Sequence, residues 1–277
     1  MDPGGLTIAV VTGGNKGIGL EVCRQLAASG ITVVLTARDE TRGAAAVEKL
    51  REQGISDVIF HQLEVTDASS IARLAEFLKT RFGRLDILVH FTSNSLYPSL
   101  SVVALTKRKT HSTHVTAEEG LRTNYYGTKH VTEALLPLLQ SSSDGRIVNV
   151  SSGFGLLKYF RGEELKQELN DTDNLTEERL DELLDTFLKD FEAGALDFAS
   201  YKVAKAALNA YSRIMARRHP TLRINCAHPG YVKTDMTRNS GLLTPEEGAS
   251  NVVKVALLPA GGPTGAFLAM GKEASFL

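Results

Sequence analysis

The chain has 277 residues, enough for one α/β domain or two small ones, and its element pattern favours one. Its 31 Lys and Arg residues nearly balance 32 Asp and Glu residues, for a net charge of −1, which argues against a nucleic-acid-binding surface. No apolar run approaches the ~20 residues of a membrane span, no signal-peptide pattern is present, and the histidines lack metal-site spacing. We therefore expect a cytoplasmic protein with no membrane or metal, in which the two cysteines stay reduced.

The first element is the most informative feature of the sequence. The apolar run Ile8–Val11 predicts a buried strand, a glycine-rich turn follows, and a helical pattern opens at Leu20. A helix N-terminus reached through such a turn binds anions, because its free N–H groups and positive dipole end face the ligand. The sequence therefore predicts a dinucleotide site. Its candidate contacts are Gly13 for the tight turn, Gly17 for approach to a pyrophosphate, Gly19 for close helix packing, and Asn15, Lys16 and Ile18 between them.

Apolar runs and amphipathic stretches then alternate along the chain. The predicted strands are Ile8–Val11, Thr32–Thr36, Val58–Gln62, Leu85–Val89, Arg146–Val150, Leu222–Ala227 and Gly265–Met270. The clearest predicted helices are Thr41–Gln53, Ala68–Phe82 and Tyr201–Arg217. This alternation predicts an α/β fold with a doubly wound parallel sheet and ligands at the carboxyl ends of the strands. Residues 1–277 are expected to form a single dinucleotide-binding domain.

Several motifs have the spacing of a known enzyme family. They are TGGNKGIG at 12–19, VVLTARD at 33–39, TNYYGTK at 123–129, RIVNVSSG at 146–153, YKVAK at 201–205 and TPEEGA at 244–249. With them the chain resembles the short-chain dehydrogenase/reductase family. Within that family it is similar to the monomeric carbonyl reductases, especially the plant menthone/neomenthol dehydrogenase and salutaridine reductase branch. The resemblance implies a reductase that transfers a hydride between a nicotinamide cofactor and a small ketone or secondary alcohol.

The resemblance also implies the catalytic residues. Tyr201 would donate a proton to the developing alkoxide, and Lys205, one helical turn on, would lower the pKa of that phenol. Moving a tyrosine pKa from about 10 to near 7 requires roughly 4 kcal/mol, which one ammonium about 4 Å away can supply at an effective dielectric near 20. Ser152 would hydrogen-bond the substrate carbonyl, with Ser151 as the fallback assignment. Asn124 would hold a proton-relay water near the lysine, or else bend its helix by bonding to the backbone.

Cofactor choice depends on the residues after the second strand. Lys16, Arg38 and Arg42 form a basic set that suits the 2′-phosphate of NADPH, whereas an acid ending that strand would bind the ribose of NAD. The acid Asp39, which follows that strand, argues against the NADPH assignment. By resemblance, Glu64 and Val65 would contact the adenine, and Val232 and Thr234 would contact the nicotinamide carboxamide and phosphates.

A helical insertion is predicted at about residues 155–198, between Ser152 and Tyr201. Asn174 and Glu177 have the spacing of a capping box, which predicts the start of a helix there. Its apolar residues recur at helical spacing, at Leu180, Leu183, Leu184, Phe187, Leu188 and Phe191. The resemblance implies that this helix covers the face that other family members use to dimerise, so a monomer is expected. A helix beside the substrate site, without effect on assembly, is the alternative.

The sequence departs from the family pattern at His90–Ser93. Family members carry Asn-Asn-Ala-Gly after Leu-Asp-Ile-Leu-Val, where this chain has His-Phe-Thr-Ser, and that tetrapeptide supports the adenine-ribose side of the cofactor. Residues 194–201 also lack the Gly-Trp-Pro segment of similar proteins. Three interpretations remain: a diverged enzyme, a non-catalytic cofactor-binding relative, or a sequence that includes translated non-coding residues.

Overall fold

The computed structural model describes residues 6–91, 114–171, 173–192 and 200–277. Eight strands in this part of the chain form one sheet in the order β3-β2-β1-β4-β5-β6-β7-β8. They are β1 Ile8–Val11, β2 Thr32–Ala37, β3 Val58–Gln62, β4 Ile87–His90, β5 Arg146–Val150, β6 Arg223–His228, β7 Phe267–Ala269 and β8 Lys272–Ala274. Strands β1 to β7 are parallel, and β8 pairs antiparallel with β7. The predicted doubly wound fold is confirmed.

The helices of the described chain lie on both faces of the sheet. They are α1 Gly17–Ala28, α2 Glu40–Glu52, α3 Ala68–Phe82, α4 His114–Leu121, α5 Gly127–Gln140, α6 Glu163–Asn170, α7 Glu177–Glu192, α8 Ser200–Arg218 and α9 Pro245–Ala256. A π-helical segment, Arg122–Tyr126, joins α4 to α5. Helices α1, α2 and α9 bury one apolar cluster against the sheet, and α3, α5, α7 and α8 bury the other. Most central strand residues are buried, as two covered faces require.

The insertion contains α6 and α7, and α7 packs against α8 and α4. Leu180, Leu184 and Phe187 are buried in the cluster that includes α8, as the helical spacing predicts. The side chain of Phe191, the last residue of that pattern, lies outside the described residues.

The predicted capping box at Asn174 is wrong. The helix begins at Glu177, and the side chain of Thr176 accepts the N–H of Arg179 at 3.2 Å. Asn174 instead donates from its amide to the carboxylate of Asp171. The carboxylate of Glu177 does not turn back toward Asn174, because it pairs with Lys129 and Arg218 from two neighbouring helices.

Candidate active site

The predicted site residues gather where parallel strands end. Ser151 and Ser152 follow β5 directly, the glycine turn follows β1, and His90 ends β4. Strand β1 lies between β2 and β4, so the chain crosses to the other side of the sheet beside this turn. Such a reversal opens a crevice at the carboxyl edge of the sheet, which is where doubly wound proteins bind ligands.

Three of the four predicted catalytic residues meet at the end of β5. The hydroxyl of Ser152 lies beside the phenol of Tyr201, where it favours the phenolate form. Ser152 Oγ accepts the N–H of Phe154 at 3.2 Å and so caps the short 3-10 turn that follows β5. Lys205 Nζ donates to Val150 O at 2.8 Å and lies 5.7 Å from the centroid of the Tyr201 ring. The arrangement holds a hydroxyl, a phenol and an ammonium around one point.

Burial controls the ionisation of this group. It raises the pKa of Tyr201, and the hydrogen bond from Ser152 opposes that rise. It lowers the pKa of Lys205 to about 8. The expected fall of the Tyr201 pKa toward 7 is therefore wrong for the chain alone. Loss of water around the phenol is the larger effect, and the ammonium is already engaged by a backbone carbonyl.

Asn124 lies in the π-helical segment and is buried. Its Nδ2 donates to Gly120 O at 2.9 Å, and its own backbone oxygen accepts from Thr128 Oγ1 at 3.3 Å. The side chain thus makes the backbone contact that the alternative interpretation predicts. A π-helical turn often marks a functional position, and this segment packs against α8, which carries Tyr201 and Lys205.

The glycine turn has the shape that a pyrophosphate requires. Helix α1 begins at Gly17, and the side chain of its N-cap residue, Lys16, makes no capping hydrogen bond. Gly17 has a φ of +54°, and a Cβ there would lie 3.7 Å from Thr234 Cγ2, across the crevice. A Cβ on Gly19 would lie 2.5 Å from Gly13 O, so only glycine allows the turn to fold onto the helix. The exposed helix N-terminus fits a dinucleotide phosphate.

Asn15 and Ile18 complete this turn, both half-buried. Gly14 N–H donates to Thr36 O at 2.9 Å, which fixes the turn beside the end of β2. Ile18 packs against the apolar cluster beneath α1.

The predicted basic set lies at the surface near the end of β2. Lys16 Nζ is 3.3 Å from the exposed Asp235, and the exposed Arg38 is 3.7 Å from the half-buried Glu64. Both cations reach solvent, so a stronger anion can replace either carboxylate. Asp39 is the N-cap of α2, and its carboxylate accepts the N–H of Arg42 at 2.9 Å. The Arg42 side chain lies 3.7 Å from the same carboxylate. Asp39 thus has a structural role in helix α2.

The remaining predicted cofactor contacts are held by local bonds. The Glu64 carboxylate accepts from the N–H and the hydroxyl of Thr66. Val65 packs against Gly127, at the start of α5. Val232 has only 2% of its surface exposed and packs against Gly248 of α9, so a contact to a cofactor could come only from its backbone.

Thr234 lies across the crevice from the glycine turn. Its N–H donates to Thr237 Oγ1 at 3.0 Å, and its carbonyl accepts the N–H of Asn239. These bonds fix the segment that follows β6 opposite Gly17.

Comparison with known proteins identifies the family. The sequence model described as short chain dehydrogenase matches residues 7–163. The chain belongs to the short-chain dehydrogenase family. It is 45% identical to a (+)-neomenthol dehydrogenase of Arabidopsis thaliana, over 97% of each chain. It is 40% identical to human carbonyl reductase 1, whose name specifies NADPH, over 95% of this chain and 96% of that one.

A solved structure supports the same assignment. Salutaridine reductase from Papaver somniferum superposes with a TM-score of 0.85 at 44% identity, covering 95% of this chain and 99% of the other. The chain is therefore an oxidoreductase of the short-chain dehydrogenase type.

Strand β4 is held in place at its end, where the sequence departs from the family pattern at His90. Thr12 Oγ1 accepts the N–H of Phe91 at 3.0 Å and donates to Phe91 O at 3.2 Å, which ties the end of β4 to the glycine turn. His90 is buried and lies 3.0 Å, through Nε2, from Thr132 Oγ1. Thr92 and Ser93 lie outside the described residues. No local sequence signal indicates that His90 lies near Lys205. Burial, and to a smaller extent the charge of Lys205, lower the pKa of this histidine.

An apolar cavity of about 510 Å³ lies beneath the insertion, between α6, α7 and α8. On α8 it is lined by Lys202, Val203, Ala206 and Ala207, on the face of the helix opposite Tyr201. It is therefore separate from the catalytic group. None of the helices in the described part of the chain has the length and apolar character needed to cross a membrane.

Proposed function

We propose that this protein is an NADPH-dependent reductase of small ketones, acting reversibly on secondary alcohols. The observation that carries the proposal is the meeting of Ser152, Tyr201 and Lys205 at the end of β5. The glycine turn opens on the same edge of the sheet. A proton donor beside a dinucleotide site is the arrangement that carbonyl reduction requires, since the carbonyl carbon accepts a hydride and its oxygen accepts a proton.

The cofactor, when bound, supplies the hydride. The Tyr201 hydroxyl donates its proton to the substrate oxygen, and the Ser152 hydroxyl donates a hydrogen bond to the same oxygen as charge builds on it. The Lys205 ammonium stabilises the resulting phenolate. The pKa of Lys205, lowered to about 8 by burial, still leaves it largely protonated at neutral pH. Asn124, through its wide helical turn, is proposed to hold the water that returns a proton to Tyr201.

The preference for NADPH rests on the charges near the end of β2. Lys16, Arg38 and Arg42 supply cations for a 2′-phosphate, and their present partners are the exposed carboxylates of Asp235 and Asp39 and the half-buried one of Glu64. Asp39 caps α2, and one of its carboxylate oxygens accepts the N–H of Arg42, so a structural role accounts for this acid. The name of the human relative points in the same direction. The glycine turn, Glu64, Val65 and the backbone at Val232 and Thr234 would complete the site.

We expect NADPH to bind more tightly than NADH, and the double variant Lys16→Ala/Arg38→Ala to lose this preference. Each charge-assisted contact to a phosphate contributes about 1.5–3 kcal/mol, so two lost contacts imply at least about a hundredfold weaker binding of NADPH. Calorimetric titration of both cofactors into both proteins measures it. NADH serves as the internal control, because its affinity should change little. Equal affinity of the wild type for the two cofactors would contradict the proposed preference for NADPH.

Small carbonyl compounds are the proposed substrates because the relatives are named for neomenthol and salutaridine.

We also propose one domain spanning 1–277 and a monomeric state. The non-catalytic interpretation is not favoured, since the described residues keep the catalytic group together. A panel of ketones, assayed by the loss of NADPH absorbance, tests it directly: turnover of at least one ketone supports the reductase, and cofactor binding without turnover supports the other interpretation.

A further inference from the structure

Asn209 lies one helical turn beyond Lys205 on α8 and is buried. Its Oδ1 accepts a hydrogen bond from Ser151 Oγ at 2.6 Å, and its Nδ2 donates to Gly155 O at 3.1 Å. These two partners lie on either side of Ser152 in the chain. One carboxamide on the helix of Tyr201 therefore holds both flanks of the serine that lies beside Tyr201.

The turn that carries Ser152 also packs directly on the same helix. A Cβ on Gly155 would lie 2.8 Å from the backbone carbon of Lys205 and 2.9 Å from its Cβ. The turn therefore lies as close to α8 as a glycine allows, and a small displacement of the turn must move Ser152 relative to Tyr201. The hydroxyl of Ser151 requires an acceptor and the carbonyl of Gly155 requires a donor. A single carboxamide provides both.

We propose that Asn209 is a positioning residue that sets the placement of the Ser152 hydroxyl against the phenol of Tyr201, an inference that rests on the proposed function. Ser151, the fallback assignment for the catalytic serine, then serves as the anchor of that contact, because its hydroxyl is directed to Asn209. Tyr201, Lys205 and Asn209 act from one helix: Tyr201 on the substrate oxygen, Lys205 on the Tyr201 phenolate, and Asn209 on the turn that carries Ser152.

The molecule contains a matched control. Asn149 Nδ2 donates to Ser212 Oγ at 2.8 Å, and this bond also joins β5 to α8 through buried side chains. Asn149 lies within β5, three residues before Ser152, and its bond to Ser212 involves neither Ser151 nor Gly155. Ser212→Ala therefore removes a buried tie between the same two elements without releasing Ser152.

The test compares Asn209→Ala with Ser212→Ala in two measurements. Asn209→Ala should lower kcat for NADPH-dependent ketone reduction by roughly tenfold to a hundredfold with little change in KM, because it displaces a group that acts in the transition state. Asn209→Ala should also shift the NMR signal of the Tyr201 ring carbon that bears the hydroxyl. That signal is assigned by its absence from the spectrum of Tyr201→Phe. Ser212→Ala should keep both near wild type. Ser151→Ala, which removes one of the two contacts, should fall between them.

Two results would overturn the proposal: an unchanged Tyr201 signal in Asn209→Ala, or equal losses of kcat in Asn209→Ala and Ser212→Ala. If Asn209→Ala does not fold, Ser151→Ala decides by the same two criteria. A wild type that binds NADPH but reduces no ketone would contradict the proposed function instead. The NMR comparison would then still decide whether Asn209 positions Ser152, since it needs no turnover.

Discussion

Lys205 and His90 place two basic side chains in the buried region behind the reaction site. Burial lowers the pKa of both, to about 8 for Lys205 and, with the lysine charge adding to the effect, to about 3 for His90. At neutral pH the lysine is largely protonated and the histidine is neutral. The histidine can therefore occupy this site without opposing the ammonium that we propose stabilises the Tyr201 phenolate.

The neutral His90 makes the fold acid-sensitive. Its pKa is lower in the folded chain than in the unfolded one, so between pH 6.5 and 3 the unfolded chain binds more protons and stability falls as pH falls. From pH 7 to pH 5 we expect this histidine to cost about 2 kcal/mol of the free energy of unfolding. Urea unfolding at both pH values should show a loss in the wild type that exceeds the loss in His90→Asn by about this amount, since His61, His219 and His228, whose pKa values burial also lowers, contribute to both proteins.

His130→Asn is the control for this experiment, because His130 is an exposed histidine on α5. It should lose stability with falling pH as the wild type does. If His90→Asn has the same acid sensitivity as the wild type, the histidine is not buried in its neutral form.

At the scale of elements, regular patterns were predictable and long-range pairings were not. The apolar runs predict β1 to β7, because burial on both faces leaves a local sequence signal. Helix α1 begins at Gly17, three residues before the predicted Leu20, because the apolar spacing of a helix does not reveal helical glycines within the turn. The short edge strand β8 and the short helix α6 lack such a signal. The start of α7 was misplaced because Glu177 is held by cations on α5 and α8, which the local capping pattern cannot reveal.

The same limit applies to the candidate site. The motifs brought Ser152, Tyr201 and Lys205 into one hypothesis, since their spacing reflects strand ends and one helix face. The π-helical turn at Asn124 and the direction of the Tyr201 pKa shift depend on packing and desolvation from other elements. Neither can be read from local sequence.

Glu177 should anchor the inserted helix. Its side chain is 8% exposed, and it pairs with Lys129 Nζ at 3.5 Å and with Arg218. Glu177→Gln removes both ion pairs, while Asp181 still holds Lys129 at 2.7 Å. We expect a loss of about 1–3 kcal/mol in the free energy of unfolding, measured by urea denaturation.

Glu182→Gln is the matched control on the same helix. Glu182 pairs with Arg179 at the surface and is 65% exposed, so its loss should cost no more than about 0.5 kcal/mol. Equal effects of the two substitutions would show that α7 is not held by its buried carboxylate.

At the scale of the whole molecule, the insertion covers part of α8 that would otherwise be open to a partner. Helix α7 packs on α8 and α4, and its apolar residues are buried in the cluster that includes α8. We expect a monomer of 30.0 kDa by light scattering. A stable species near about 60 kDa, twice the chain mass, would contradict the proposal that the insertion occupies this face.

The most direct test of the account is NADPH oxidation by a panel of ketones, compared between the wild type and Tyr201→Phe at equal cofactor occupancy. The substitution removes one hydroxyl, so the fold and NADPH binding should persist, while loss of a positioned general acid should lower turnover by about 10²–10⁴-fold. The account predicts reduction by the wild type and that loss in the variant. Equal turnover of the two proteins would contradict it.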